Sequence, residues 1–345
     1  MANDPNSIRD VEQLEELLST PPPGAIQAVG SLEGDIVVLG VGGKMGPTLA
    51  RMAKRASEKA GVKRRVIGVA RFSNSRLERQ LRAWDVDTVR CDLLHEKSRA
   101  ELPDAPNVIF MAGMKFGTTG QEPLTWAINS FLPGLVANCY RHSRIVVFST
   151  GNVYGLSPVS KGGSREQDDL NPSGEYAMSC VGRERMFEHF SRAHGTKITI
   201  LRLNYAAELR YGVLLDIALN VHAGRAVPIS MGYLNAIWQA DAAAMSLQSL
   251  AQATSPPNVI NITGPELLSV RSVAEEFGKK LNKPVTFKET ESSDALLSNA
   301  EKSHQLFGPP RVSAQQMIDW IAEWVGKGGD TLAKPTHFEE RAGRF

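Results

Sequence analysis

Three glycines spaced as Gly40-x-x-Gly43-x-x-Gly46 follow an apolar run and lead into a segment of helical composition. Such glycines can permit a tight turn, bring backbone close to a pyrophosphate, and let a helix pack closely on its strand. A helix opening there presents unpaired N–H groups and a partial positive charge to phosphate oxygens. Lys44 and Met45 complete the turn, and the chemistry implied is the binding of a dinucleotide diphosphate. The spacing is not G-x-G-x-x-G, and a turn with a purely structural role would carry the same glycines. The second position of interest closes the run at 65–70. An acidic side chain there would accept hydrogen bonds from the ribose 2′-OH of NAD. Ala70 and Arg71 stand in its place, with Ser73 and Asn74 beyond. An arginine can pair with a 2′-phosphate, so the sequence leans towards NADP, the alternative being a surface arginine on an NAD binder.

The elements that must position these residues are visible as strand-like runs at 35–39, 65–70, 87–90, 107–111, 145–149 and 198–203, most of them rich in Val, Ile and Leu. The runs are continuous rather than alternating, as in parallel strands buried on both faces. Helical segments separate them, which predicts a doubly wound α/β domain over 34–206. Residues 8–19 have helical spacing and end at Pro21-Pro-Pro-Gly24, so 1–33 reads as a helical extension ahead of that domain. Beyond 206 the pattern loosens into a smaller α/β lobe, 207–327, with some segments returning to the main domain. Helices are expected at 211–224, at 269–281 behind a Ser269 cap, and at 314–326, with short strands at 226–229 and 285–289. The tail, 328–345, is charged and Gly-containing, a composition compatible with partial disorder.

Composition excludes several classes of function. The chain has 345 residues, 42% of them hydrophobic and 22% charged, with a net charge of +2. That near-neutral balance argues against a nucleic-acid partner or a polybasic membrane contact. The basic cluster at 51–65 reads as the solvated face of a helix. Cys91, Cys139 and Cys180 lie far apart without C-x-x-C spacing, suggesting neither a disulfide framework nor a metal site. Unpaired thiols and an acidic N-terminal stretch without an apolar core point to the reducing cytoplasm. No run approaches the roughly 18 apolar residues of a membrane span.

Taken together, residues 35–325 resemble the extended short-chain dehydrogenase/reductase family, the NAD-dependent epimerases/dehydratases. The residues that carry the resemblance are the glycine turn, Cys91-Asp92-Leu93, Val108-Ile-Phe-Met-Ala-Gly113, and Val146-Val-Phe-Ser-Thr-Gly-Asn-Val-Tyr-Gly155. They continue with Tyr176 and Glu184, Leu201-Arg-Leu-Asn204, Gly224-Arg-Ala-Val-Pro-Ile229 and Gln239-Ala-Asp-Ala242. The resemblance implies a Rossmann domain with a C-terminal substrate lobe, an NAD or NADP cofactor, and a small sugar-like or nucleotide-sugar substrate. It also implies a homodimer paired through two helices. Asp92, with Leu93, would meet the adenine, although Asp92 reads equally as a turn residue. Ala112 and Gly113 would pass beside the cofactor, and Asn129 fits the family's helix asparagine, with Leu132 where a glycine is expected. Thr150 would hydrogen-bond the substrate's hydroxyl or carbonyl, or is simply a strand threonine. Tyr176 would be the acid/base and also a cofactor contact, the alternative being a packing residue. Substrate candidates taken from register are Asn204, Tyr205 and Arg225, with Tyr211 and Trp238 behind them. Arg225 could instead serve its helix terminus, and Trp238 the core.

One departure bears on all of this. The family pairs its tyrosine with a lysine four residues on, which shares a helix face and helps the phenol act near neutrality. Here Cys180 occupies that slot, and no lysine lies between Lys161 and Lys197. Arg183 and Arg185 are close in sequence but are expected on other faces of the helix. A neutral thiol supplies no cation, and a thiolate would raise the phenol's pKa. The sequence therefore leaves three readings: a hydride-transfer enzyme in which another group replaces the lysine, a non-catalytic NAD(P)-binding sensor or scaffold, or a structural subunit with an empty fold, which the intact glycine turn disfavours.

Overall fold

The apolar runs fold as the strands of one parallel sheet. The computed structural model describes residues 7–344. Its central strands are β1 Ile36–Leu39, β2 Val66–Ala70, β3 Asp87–Arg90, β4 Asn107–Phe110, β5 Arg144–Thr150, β6 Lys197–Leu203 and β7 Asn258–Ile262. Their spatial order is β7-β6-β5-β4-β1-β2-β3, with every neighbouring pair parallel. Strand β1 is wholly buried, as continuous Ile and Val on a doubly covered strand require. The direction of strand succession reverses between β1 and β4. A crevice opens beyond the strands' carboxyl ends at such a point.

The main helices are α1 Val11–Leu18, α2 Pro23–Gly30, α3 Gly46–Lys59, α4 Ser75–Ala83, α5 Leu132–Cys139, α6 Gly174–His194, α7 Val213–His222, α8 Gln239–Gln248, α9 Val270–Leu281 and α10 Ala314–Gly326. Alternate strand residues feed two separate cores. Ile36, Val38, Val66, Ile109 and Val146 pack with α1–α3 and α8. Val37, Leu39, Val69, Val108, Phe110 and Val147 pack with Leu132 and Val136 of α5 and Phe187 of α6.

Three features differ from the reading of the sequence. Pro23, taken as a stop, is the first residue of α2, a position where a missing N–H costs nothing. Strand β7, at a position where no strand is expected from the sequence, is one late segment that returns to the main sheet, beside β6. Its apolar run is interrupted by Asn261, a buried residue whose amide donates to the carbonyls of Ser164 and Asn299. The tail is tied down rather than loose. The Thr336 N–H and hydroxyl both donate to Asp216 of α7, Phe338 is buried, and Arg341 bonds the Ser230 and Asp294 carbonyls.

Candidate functional site

The predicted site residues lie at the carboxyl ends of the strands. Gly40 follows β1 with φ +86°, and a Cβ there would stand 2.6 Å from the Ala112 nitrogen. A Cβ on Gly46 would meet the Val41 carbonyl oxygen at 2.3 Å, so only glycine lets α3 start this close to the turn. Gly43 is different. It is exposed, and a Cβ would approach nothing nearer than the Gly40 oxygen at 3.6 Å. Helix α3 has no side-chain N-cap and carries a proline in its first turn. An open glycine ledge before an uncapped helix start fits the diphosphate of a dinucleotide. Lys44 projects from this ledge, its ammonium 3.2 Å from the Tyr211 ring centre and 4.4 Å from that of Phe116. Burial, and then the charges of Lys334 and Lys115, pull its pKa down to about 7 against the opposing pull of Asp216.

Arg71 is exposed at the end of β2, with Ala70 beside the turn where a Cβ on Gly42 would lie 3.4 Å away. Asp92, also exposed, accepts a hydrogen bond from the Leu94 N–H, which is turn chemistry. Leu93 is buried beneath it. Ala112 and Gly113 extend β4 next to Gly40, and a Cβ on Gly113 would lie 2.6 Å from an Arg183 guanidinium nitrogen.

Thr150, Tyr176 and Cys180 are brought together. Thr150 ends β5 and caps the turn that follows, accepting from the Asn152 N–H. The half-buried Tyr176 phenol lies within hydrogen-bonding reach of both Thr150 and the Cys180 thiol. Burial pushes this phenol well above the usual tyrosine range and Cys180 raises it further, while Arg183 and Thr150 pull it back. Cys180 is fully buried with Val153 and Tyr154, and burial raises its thiol too, against Arg183 and Tyr176. The helix is anchored one turn on. Glu184 accepts from Ser149 and from Arg202 at 2.7 Å, both charges being buried.

Two residues missed in the sequence complete this cluster. Arg183 corrects the expectation that it lies on another helix face. It stands seven residues beyond Tyr176, two helical turns, and so on the same side. It is buried, donating to the Phe148 carbonyl at 2.6 Å and to the Asn129 side chain at 2.8 Å. Arg185 does lie outside, paired with Glu188. The other is Lys115, from the loop after β4, whose ammonium lies 5.6 Å from the Tyr176 ring centre. No spacing rule links it to Tyr176, so only the fold could reveal it. Asn129 sits buried in a π-helical segment, Ala127–Phe131, of the kind often found at functional sites.

The substrate candidates are dispersed. Asn204 is buried after β6, its amide donating to the Leu296 carbonyl. Tyr205 follows with φ +43°, its phenol raised by burial and by Glu339. Arg225 is exposed, with its Nε donating to Asn220 of α7. Trp238 is core, 5.3 Å from the Trp320 ring. Among the described residues no group of His, Cys, Asp and Glu could hold a metal ion, and no helix is long and apolar enough to cross a membrane.

Comparison with the curated proteins finds no match. Solved structures of similar fold include the dTDP-glucose 4,6-dehydratase of Bacillus anthracis in complex with NAD, at 16% identity and TM-score 0.71, covering 86% of this chain and 97% of that one. The UDP-glucuronic acid 4-epimerase of Bacillus cereus, in complex with NAD, is similar at 18% identity and TM-score 0.70 over 86% and 99% of the two chains. The UDP-glucose 4-epimerase of Thermotoga maritima, with UDP-glucose, gives 18% and 0.70 over 85% and 99%. The family model described as NAD dependent epimerase/dehydratase matches residues 36–262. With well over half of its length matched in this way, the chain belongs to the NAD dependent epimerase/dehydratase family.

Proposed function

We propose that the protein binds a nicotinamide dinucleotide and acts as an epimerase, dehydratase or reductase on a sugar-like, nucleotide-linked substrate. The observation that carries this reading is the placement of Tyr176 and Thr150 within hydrogen-bonding reach of each other, at the crevice edge that also holds the glycine ledge. The dinucleotide, when bound, supplies hydride acceptance and donation at its nicotinamide. The ledge and the start of α3 hold its diphosphate, and Ala112 and Gly113 let it pass close to β4. Thr150 orients the substrate hydroxyl, and the Tyr176 phenol exchanges a proton with that oxygen as the C–H bond breaks or forms. Asn204 and Tyr205, just beyond the end of β6, are the candidates for contacts with the rest of the sugar. Arg71 favours a 2′-phosphate and hence NADP, since no carboxylate follows β2 to hold a ribose hydroxyl. Exposed Leu124, Trp126, Phe131, Met178 and Met186 lie along the segment before α5 and on α6, and suit a homodimer closed through these helices.

The buried thiol at 180 favours a second reading, a dinucleotide-binding sensor without turnover. Tyr176→Phe separates the two. Removing the acid/base should lower kcat on a nucleotide-sugar panel by roughly a hundredfold to ten-thousandfold, with dinucleotide affinity retained. A wild type that binds the dinucleotide and turns over no member of the panel supports the sensor.

A further inference from the structure

The helix that carries Tyr176 lacks its lysine, yet a lysine ammonium stands beside the phenol. Lys115 reaches it from the loop between β4 and the segment at 122–126, its Nζ 5.6 Å from the Tyr176 ring centre and 5.5 Å from that of Phe116. This approach is built into the fold. The Asn129 amide donates to the Met114 carbonyl at 2.8 Å and accepts from the Met114 N–H at 2.8 Å, and it also donates to the Ser179 hydroxyl at 3.0 Å. One buried side chain thus ties the residue before Lys115 to the residue before Cys180. A loop fixed in this way loses little conformational freedom when its lysine turns towards α6.

We propose that Lys115 supplies the cation that the Tyr176 helix no longer carries, as a positioning residue acting through the phenol. The ammonium favours the phenolate, which takes up the substrate's proton in one direction and is formed when the phenol gives its proton to the substrate in the other. The Cys180 thiol, fully buried and with its pKa raised by burial, adds no second charge in the old slot. Arg183 is a second cation at this corner and also lowers the Tyr176 pKa, while three of its N–H groups donate to Phe148 and Asn129. Burial pulls the Lys115 pKa down to about 8, with Cys180 opposing. Its help is therefore present below about 8 and is lost as pH rises through that value. The other titratable and charged groups around this corner include Tyr176, Cys180, Arg183 and Glu184 of α6, Lys44 of the glycine turn, and Lys334 and His337 of the tail.

The inference rests on Tyr176 being the acid/base, and the test keeps the two claims apart. Turnover against pH is compared for wild type, Y176F, K115M and K115R. The wild type should lose kcat/KM on the alkaline side near pH 8. K115M should be roughly tenfold to a hundredfold slower at pH 7 without that limb, and K115R should stay active with the limb moved upward. An inactive Y176F alongside a K115M of unchanged rate and pH profile overturns the proposal alone. A fully active Y176F overturns the reading beneath it. A readout independent of turnover is 13C NMR of labelled lysine side chains without added cofactor, with the Lys115 signal assigned by its loss in K115R. Its midpoint should lie near 8 and move lower in C180K, where a second ammonium enters the same corner. An ordinary lysine midpoint indifferent to C180K overturns the proposal.

Discussion

The charges that matter most at this site are held at pKa values far from those of free side chains, and a ligand should move them back. Lys44 sits near pH 7 because burial and two neighbouring lysines disfavour its ammonium. An anionic diphosphate on the glycine ledge reverses that, raising the pKa, so binding between about pH 7 and 10 should take up protons. Calorimetry of dinucleotide binding at pH 8.5 in buffers of different ionisation heat should therefore show net proton uptake, which Lys44→Met abolishes. Binding without uptake would place the diphosphate elsewhere. The same scale shows what the sequence could reveal. Tyr176 and Thr150 were legible from register. Lys115 was not, because its contact with Tyr176 depends on a loop geometry set by Asn129. Arg183 is expected on another face of the helix, yet a spacing of seven residues already puts it on the tyrosine's face.

The site is assembled where strand ends meet helix starts, and its tolerance for change is set there. The glycines of the turn have separate roles. A Cβ on Gly46 meets the Val41 carbonyl at 2.3 Å, so Gly46→Ala must displace α3 from the turn. It should cost about 1–3 kcal/mol, as overpacking commonly does, read as a lower urea midpoint. An unchanged midpoint would mean that the close seating of helix on strand is not needed. The six strands read from the sequence appear with only end residues shifted. For β1, β2, β4, β5 and β6 the signal is continuous apolar sequence on a doubly covered strand, whereas β3, Asp-Thr-Val-Arg at the sheet edge, is partly exposed. Strand β7 was harder to see because its buried Asn261 bonds to Tyr154 and to two carbonyls, which makes the strand look polar.

At the scale of the whole molecule, the first two helices and the tail at 336–341 are fastened to the fold. Leu14, Leu18, Ala25 and Val29 of α1 and α2 are fully buried in the larger core. Glu16 pairs with Arg51 and Arg55 of α3, and Glu15 with Arg210. Each large apolar side chain contributes about 1.5–3 kcal/mol through burial, against a total stability of roughly 5–15 kcal/mol. Deleting residues 1–31 should therefore leave a chain without a cooperative thermal transition. A truncated protein that melts at the parent temperature would make these helices an accessory. The tail crosses from Asp216 to Ser230 and Asp294, contacts that charged, glycine-containing sequence gives no means of foreseeing. Dinucleotide binding at the ledge remains the claim on which the function turns. Calorimetric titration of wild type and Gly43→Ala with NAD and NADP tests it most directly, since a Cβ there meets nothing in the protein nearer than 3.6 Å. The wild type should bind, NADP more tightly than NAD, and Gly43→Ala should keep its melting temperature while losing at least about tenfold in affinity. Equal affinity in the two proteins, or no heat with either dinucleotide, would contradict the account.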